Sequence, residues 1–467
     1  MPTTRTFAWF TELLLVAASA SAATPPALHL SPCKFGGVEA RCGTFDVRES
    51  PKSSRMLALK LAVVPATDHN VSAIFTFGGG PGVPTLAGAQ SFVASLAAER
   101  RLHDEVFMDT RGVGESSPLA CPKATKAHER ELVEKDLLPA DFVTDCRREV
   151  EKIGDPTRYT FDYVADDVEA LRLALGYGAM DIVGISAGTR EALTFQAAYP
   201  KSVRTMLLYG PLPPQNLMAF EYPRDTEAAL DRLVADCRAD AQCSAAFPKF
   251  EEETDEVLAW LSTHPPAMEH AGYRITLTRG GFAEFLRTTM YTAEGQALVP
   301  LIVHLAAQGK WNDFAQRYID YRKRFYGGAG IFLAITCPMD VRYIDPNAIA
   351  AASANTMTGP YRAQRQIAAC EKWTPGRSPR ISVGPSAAPV LVVTGDLDPV
   401  TPPRWADVVA RDLQNARVIV VKNTGHVDLN DCTDGLEVGF FDAGSFEKLD
   451  ASCASAAKRP PFATKLP

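Results

Sequence analysis

No cysteine of this chain belongs to a Cys-x-x-Cys pair and no stretch is rich in histidine, so the common zinc-binding spacings are missing. Beyond the amino-terminal segment, no apolar run approaches the roughly 20 residues that cross a membrane as a helix. Basic residues do not dominate either. The 48 Lys and Arg stand against 55 Asp and Glu, for a net charge of −7, which removes the electrostatic footprint of a nucleic-acid binder. Internal repeats are lacking, and with them the solenoid architectures. What remains is a globular composition. The 467 residues, 46% hydrophobic and 22% charged, can bury one large core or two moderate ones.

The amino terminus reads as an export signal over residues 1–22. Arg5 gives a positive end, Leu13–Val16 and the following alanines a short apolar core, and Ala20-Ser21-Ala22 a small-residue site for cleavage before Ala23. Glu12 interrupts the pattern, and the run is too short for a spanning anchor. Ten cysteines agree with an oxidising, periplasmic or extracellular destination. They fall into sequential neighbours, so Cys33–Cys42, Cys121–Cys146, Cys237–Cys243, Cys337–Cys370 and Cys432–Cys453 are the expected bridges, although sequence leaves other pairings open.

Short runs rich in Val, Ile and Leu recur at Met56–Val64, Ser72–Phe77, Glu105–Met108, Met180–Ile185, Val203–Tyr209, Pro389–Thr394 and Arg417–Val421. Their continuous apolarity suits strands covered on both faces. Between them, Tyr163–Leu175 carries Val164, Val168, Leu171 and Leu175 at helical spacing. Strands alternating with helices predict a mostly parallel, doubly wound sheet. Residues 211–388 differ: helical pieces such as Thr226–Ala239 and Glu251–Leu261 predominate, and clear strands are few. This segment reads as a helical cap inserted over the carboxyl edge of a sheet built from 23–210 and 389–467, the edge where such sheets take ligands. The run Gly327-Gly328-Ala329-Gly330 is a hinge or a turn.

Gly184-Ile185-Ser186-Ala187-Gly188 follows one strand-like run and precedes a helical one. A serine hydroxyl must project to meet a carbonyl carbon and needs a base to take its proton. A sharp turn after a strand projects it, and flanking glycines remove colliding side chains. Phe77-Gly78-Gly79-Gly80-Pro81-Gly82 follows another strand. It lacks the Lys-Ser or Lys-Thr of a nucleotide-phosphate loop, and Pro81 spoils a dinucleotide fingerprint. Exposed backbone N–H groups in such a run can receive the oxyanion of acyl transfer, with Gly80 (Gly79 as second choice) and Ala187 as the expected donors. Late in the chain, Gly395-Asp396-Leu397-Asp398 follows a strand, and Asn423-Thr424-Gly425-His426 follows the next. Asp398, preferred to Asp396, would orient His426, which would take the proton of Ser186. No metal or organic cofactor is called for.

Together "FGGGPG", "DTRGVGES" (Asp109–Ser116), "GISAGT", "GDLDPVTP" and "NTGH" resemble, in that order, the motifs of secreted tripeptidyl aminopeptidases and prolyl aminopeptidases. "DCRADAQCSAAFP" (Asp236–Pro248), "ITC" and "CEKW" resemble the cap of the tripeptidyl type. The resemblance implies an α/β-hydrolase core with a helical cap, the order Ser, Asp, His, and Ser186, Asp398 and His426 as triad with Gly80 and Ala187 as donors. It also implies an Asp109–Arg111 ion pair bracing the loops. Departures are Gly78 for histidine, Ala187 for tyrosine and Tyr209 for aspartate. The expected activity is an exported aminopeptidase acting on peptides with a free N-terminus, without nucleic acid or stable membrane association. An exported carboxylesterase or lipase is the alternative. Glu221, Glu227 and Asp340 are cap acids that could face a substrate ammonium, none of them assigned. Oligomeric state is not legible.

Overall fold

The computed structural model describes residues 26–69, 71–373 and 383–466, so the expected export signal lies outside the described residues. Strands β1 (Ala27–Phe35), β2 (Val38–Arg48), β3 (Met56–Val64), β4 (Ser72–Phe77), β5 (His103–Met108), β6 (Met180–Ile185), β7 (Val203–Tyr209), β10 (Val390–Gly395) and β11 (Ala416–Val421) form one sheet, and β8 (Ala267–His270) and β9 (Tyr273–Thr276) a separate hairpin. The sheet order is β1-β2-β3-β5-β4-β6-β7-β10-β11. From β5 to β11 neighbours run parallel, whereas β1, β2 and β3 join antiparallel. All residues of β4 and β10 are buried, as strands covered on both faces require.

The seven apolar runs are all strands, with bounds moved by a residue or two at three of them. The sequence reading missed β1 and β2. Their residues alternate between covered and exposed, and Pro32 and Gly43 interrupt the apolar pattern. Their pairing rests on a two-residue turn, Gly36-Gly37, where both glycines have positive φ, as such a tight hairpin demands. Cys33–Cys42 closes this hairpin. All five bridges join the sequential neighbours.

Between β7 and β10 the chain is mainly helical, the β8–β9 hairpin excepted. Helices Met218–Ala239, Phe250–Leu261, Arg279–Thr289, Ala293–Ala307 and Ala315–Tyr326 enclose a core of their own that includes Leu233, Phe282, Ile302 and Phe314. Burying each such side chain contributes about 1.5–3 kcal/mol. Helices Ala329–Met339 and Tyr361–Trp373 instead bury Ile331, Leu333 and Trp373 with the sheet-side residues Phe142 and Tyr159. Gly327 and Gly328 form the turn between two of these helices. The excursion between β5 and β6 also meets the cap: Arg322 Nη2 donates to Leu132 O at 2.6 Å.

The expected Asp109–Arg111 pair is not formed. After β5 the two side chains diverge. Arg111 turns to helix Phe161–Leu175 and grips Asp167 with both ends of its fork, at 2.7 and 2.6 Å. Its third nitrogen donates to Glu49 O and Arg158 O. Asp109 accepts Leu86 N–H at 2.9 Å, in the first turn of helix Thr85–Phe92, and so holds the segment that follows the glycine loop. Asp167→Ala would leave the buried Arg111 cation without its partner. We expect a loss of about 3–5 kcal/mol of stability, read as a lower denaturant midpoint with disulfides intact. A midpoint unchanged from wild type would contradict the brace.

Candidate active site

Parallel strands present their carboxyl ends on one edge, and that edge gathers the glycine loop after β4, Ser186 after β6, Asp398 after β10 and His426 after β11. Ser186 sits between β6 and helix Ala187–Ala198 with φ 55° and ψ −120°, outside the regions a serine ordinarily occupies. Its N–H donates to Tyr209 O of β7 at 2.8 Å, which ties the turn to the sheet. The glycine spacing has a steric cause. A Cβ on Gly188 would lie 2.3 Å from the carbonyl oxygens of Phe77 and Gly78, and one on Gly184 would lie 2.8 Å from Thr189 Cα. Only hydrogens let this helix close so tightly on the strands.

The three distant side chains meet. Ser186 Oγ is 2.7 Å from His426 Nε2, and His426 Nδ1 is 2.8 Å from Asp398 Oδ2. A carboxylate only accepts, so Nδ1 carries the proton and Nε2 is free to accept from Oγ–H. Asp398 is 1% exposed. Burial is the largest influence on its carboxyl and pushes its pKa up. The charge and hydrogen bond of His426, with the N–H groups of Thr401 and Val400, outweigh it and hold the group below its ordinary value. Those two N–H groups both donate to Oδ1 at 2.8 Å. Asp396 does other work: it accepts Asn423 N–H at 2.7 Å and faces Lys422 and Arg232, so it braces the loop.

Ala187 is the first residue of its helix, where a backbone N–H has no intrahelical acceptor. It is buried in a cluster with Leu212, Met218, Tyr222 and Val400. Gly80 lies in the loop that abuts the serine: a Cβ on neighbouring Gly79 would stand 3.3 Å from Ser186 Cβ. At Gly78 a side chain would collide with Thr85 Oγ1 at 2.5 Å, so the threonine hydroxyl occupies the space a histidine would need. Tyr209 Oη donates to Glu437 Oε2 at 2.9 Å, linking β7 to helix Asp431–Ala443. The three cap acids are engaged structurally: Glu221 with Arg404 at 2.9 Å, Glu227 with Met357 N–H at 2.6 Å, and Asp340 with Arg190 at 2.8 Å.

Sequence reasoning missed Thr401, Tyr291 and Asp428. Thr401 Oγ1 donates to Asp398 Oδ2 at 2.8 Å and lies 3.1 Å from His426 Nδ1. Its place three residues after the acid was the available signal. Tyr291 contacts the histidine loop from the cap side, Asp428 within that loop accepts Ala293 N–H from across the boundary, and no local pattern marks either. Among the described residues, no group of three His, Cys, Asp or Glu could hold a metal ion, and no helix is long and apolar enough to cross a membrane.

The chain is similar to the serine protease Hip1 of Mycobacterium tuberculosis, 24% identical over 449 residues that cover 85% of this chain and 83% of the relative. It is also similar to the tripeptidyl aminopeptidase of Streptomyces coelicolor, 30% identical over 142 residues, 28% of this chain and 26% of that protein. The solved proline iminopeptidase of Mycobacterium smegmatis aligns at 15% identity and a TM-score of 0.42, covering 87% of this chain and 98% of that one. The family model described as the alpha/beta hydrolase fold matches residues 77–431, from the end of β4 past His426. The chain belongs to the α/β-hydrolase fold family.

Proposed function

We propose that the chain is an exported serine hydrolase that removes short peptides or single residues from free peptide N-termini. The observation that carries the reading is the unbroken relay from Ser186 Oγ through His426 to the buried Asp398, at 2.7 and 2.8 Å. The Hip1 and tripeptidyl aminopeptidase relatives favour peptides over other acyl donors. Five disulfides favour an oxidising compartment and hence export.

In this reading Ser186 Oγ attacks the scissile carbonyl carbon while its proton passes to His426 Nε2. The carbonyl oxygen takes up negative charge and is met by the N–H groups of Gly80 and Ala187, each worth about 2.7–4 kcal/mol in systems where one such donor has been removed. Asp398 stabilises the imidazolium without taking the proton. His426 then protonates the departing amine. Water, activated by the same imidazole, releases the acyl group from Ser186. A panel of peptidyl-naphthylamides with free and blocked amines, set beside short acyl esters, tests the specificity. Cleavage of free-amine peptides supports the proposal. Cleavage of esters alone replaces it with the esterase reading.

The acid limb of the pH profile is a further expected outcome. Asp398 is held below its ordinary value, so it remains an ionised acceptor for Nδ1–H as the solution is made acidic. An imidazolium cannot accept from Ser186, so kcat/KM is expected to fall in acid. A profile flat into strongly acidic solution would remove His426 from the role of base.

A further inference from the structure

His426 follows the last strand of the sheet and lies in a loop, where no ladder of hydrogen bonds fixes its backbone. A general base must nonetheless be held within about 0.5 Å of its working position. The cap supplies contacts that do this. The backbone oxygen of Tyr291 accepts His426 N–H at 2.6 Å. The Tyr291 ring stands edge-to-face against the imidazole, with centroids 5.1 Å apart. Gly425 has no side chain because a Cβ there would lie 2.3 Å from Tyr291 O. The same cap segment holds both loops of the relay. Asp428 Oδ2 joins Gly425 N–H to Ala293 N–H, and the Gln296 amide reaches Leu397 O at 3.1 Å.

Tyr291 is itself restrained from behind. Arg287, 2% exposed, donates to its phenol oxygen at 2.8 Å and lies 4.3 Å from the centre of the Tyr222 ring. Glu284 binds Arg287 through both oxygens at 3.0 Å and Arg362 of helix Tyr361–Trp373 at 3.1 Å. A buried guanidinium with two directional partners has little freedom to move. Tyr291 also walls a cavity of about 670 Å³ between cap helices, with Phe285, Tyr321 and Phe325. It therefore stands between that space and the base.

We propose that Tyr291 is a positioning residue for His426, braced by Arg287, Glu284 and Arg362, so that the cap acts on the reaction through the imidazole as well as through the substrate. This rests on the serine-hydrolase reading. The test uses the full secreted chain and two readouts: the rate at which a fluorophosphonate labels Ser186, and kcat and KM on the best substrate of the panel. Tyr291→Ala removes the ring and phenol but keeps the backbone carbonyl. We expect labelling rate and kcat to fall together by about ten- to a hundredfold, with KM within about twofold. Tyr291→Phe restores the ring and its contact with the Arg287 guanidinium but loses the hydrogen bond, and we expect it to recover to within about threefold of wild type, the residual loss being the share of that bond in the brace. Tyr291→Leu, which keeps apolar bulk, serves if the alanine variant is not secreted folded, and is expected to follow the alanine pattern. Wild-type labelling and kcat in the alanine or leucine variant overturn the inference. So does a raised KM with unchanged kcat, which would make Tyr291 a wall of the substrate cavity. Failure of the wild-type protein to react with fluorophosphonate would instead overturn the underlying reading.

Discussion

Ser186→Ala is expected to lower kcat by roughly a million-fold, the scale on which loss of a triad serine acts in a well-studied serine protease, while the folded chain persists. The nucleophile disappears, and the base has no substitute to activate. Folding is spared because the turn is held by the backbone. Its N–H bond to Tyr209 O and the close approach of Gly188 to Phe77 and Gly78 do not involve the hydroxyl. Alanine at φ 55° meets the same steric penalty as serine, so no new strain enters. Turnover of the best substrate of the panel and a thermal melt are the paired measurements. A folded variant that retained turnover within tenfold of wild type would assign the nucleophile elsewhere.

Asp398→Asn has the next largest effect, about ten-thousandfold in kcat. The acceptor-only carboxylate oxygen that now faces Nδ1 requires the imidazole proton there. An asparagine amide can present N–H to Nδ1 and so move the ring proton to Nε2, where it blocks acceptance from Ser186 Oγ. The single asparagine oxygen, at the position of Oδ1, can still receive Val400 and Thr401 N–H, so the loop keeps its form. The neighbouring acid is the control. Asp396→Asn should leave kcat within about fivefold, since Asp396 binds Asn423 N–H and faces Lys422 and Arg232, away from the imidazole. Equal losses at both positions would mean that loop integrity, not tautomer control, underlies the effect at 398. Both variants are compared by kcat and by melting temperature.

These expectations draw on features of unequal legibility. Ser186, Asp398 and His426 could be read because each follows an apolar run that becomes a parallel strand of the sheet. Parallel strands in one sheet have no choice but to end on the same edge. The disulfides paired as sequential neighbours because their short loops keep partners close. The amino-terminal hairpin was hidden because its strands are covered on one side only in part, which weakens the apolar signal. The family resemblance implied a pair between Asp109 and Arg111, which only Thr110 separates. In three dimensions the turn after β5 sends them to different helices.

Chain order and strand-forming runs, then, were enough to name the three side chains that meet, since a parallel sheet converts their positions directly into proximity. The restraint on those groups came from contacts with no periodicity and no motif. Tyr291 against His426, and Arg287 held by Glu284, exist because cap helices close over the sheet and bury charge that must find partners there. Burial and partnering are properties of the packed chain, so they had to be seen in space.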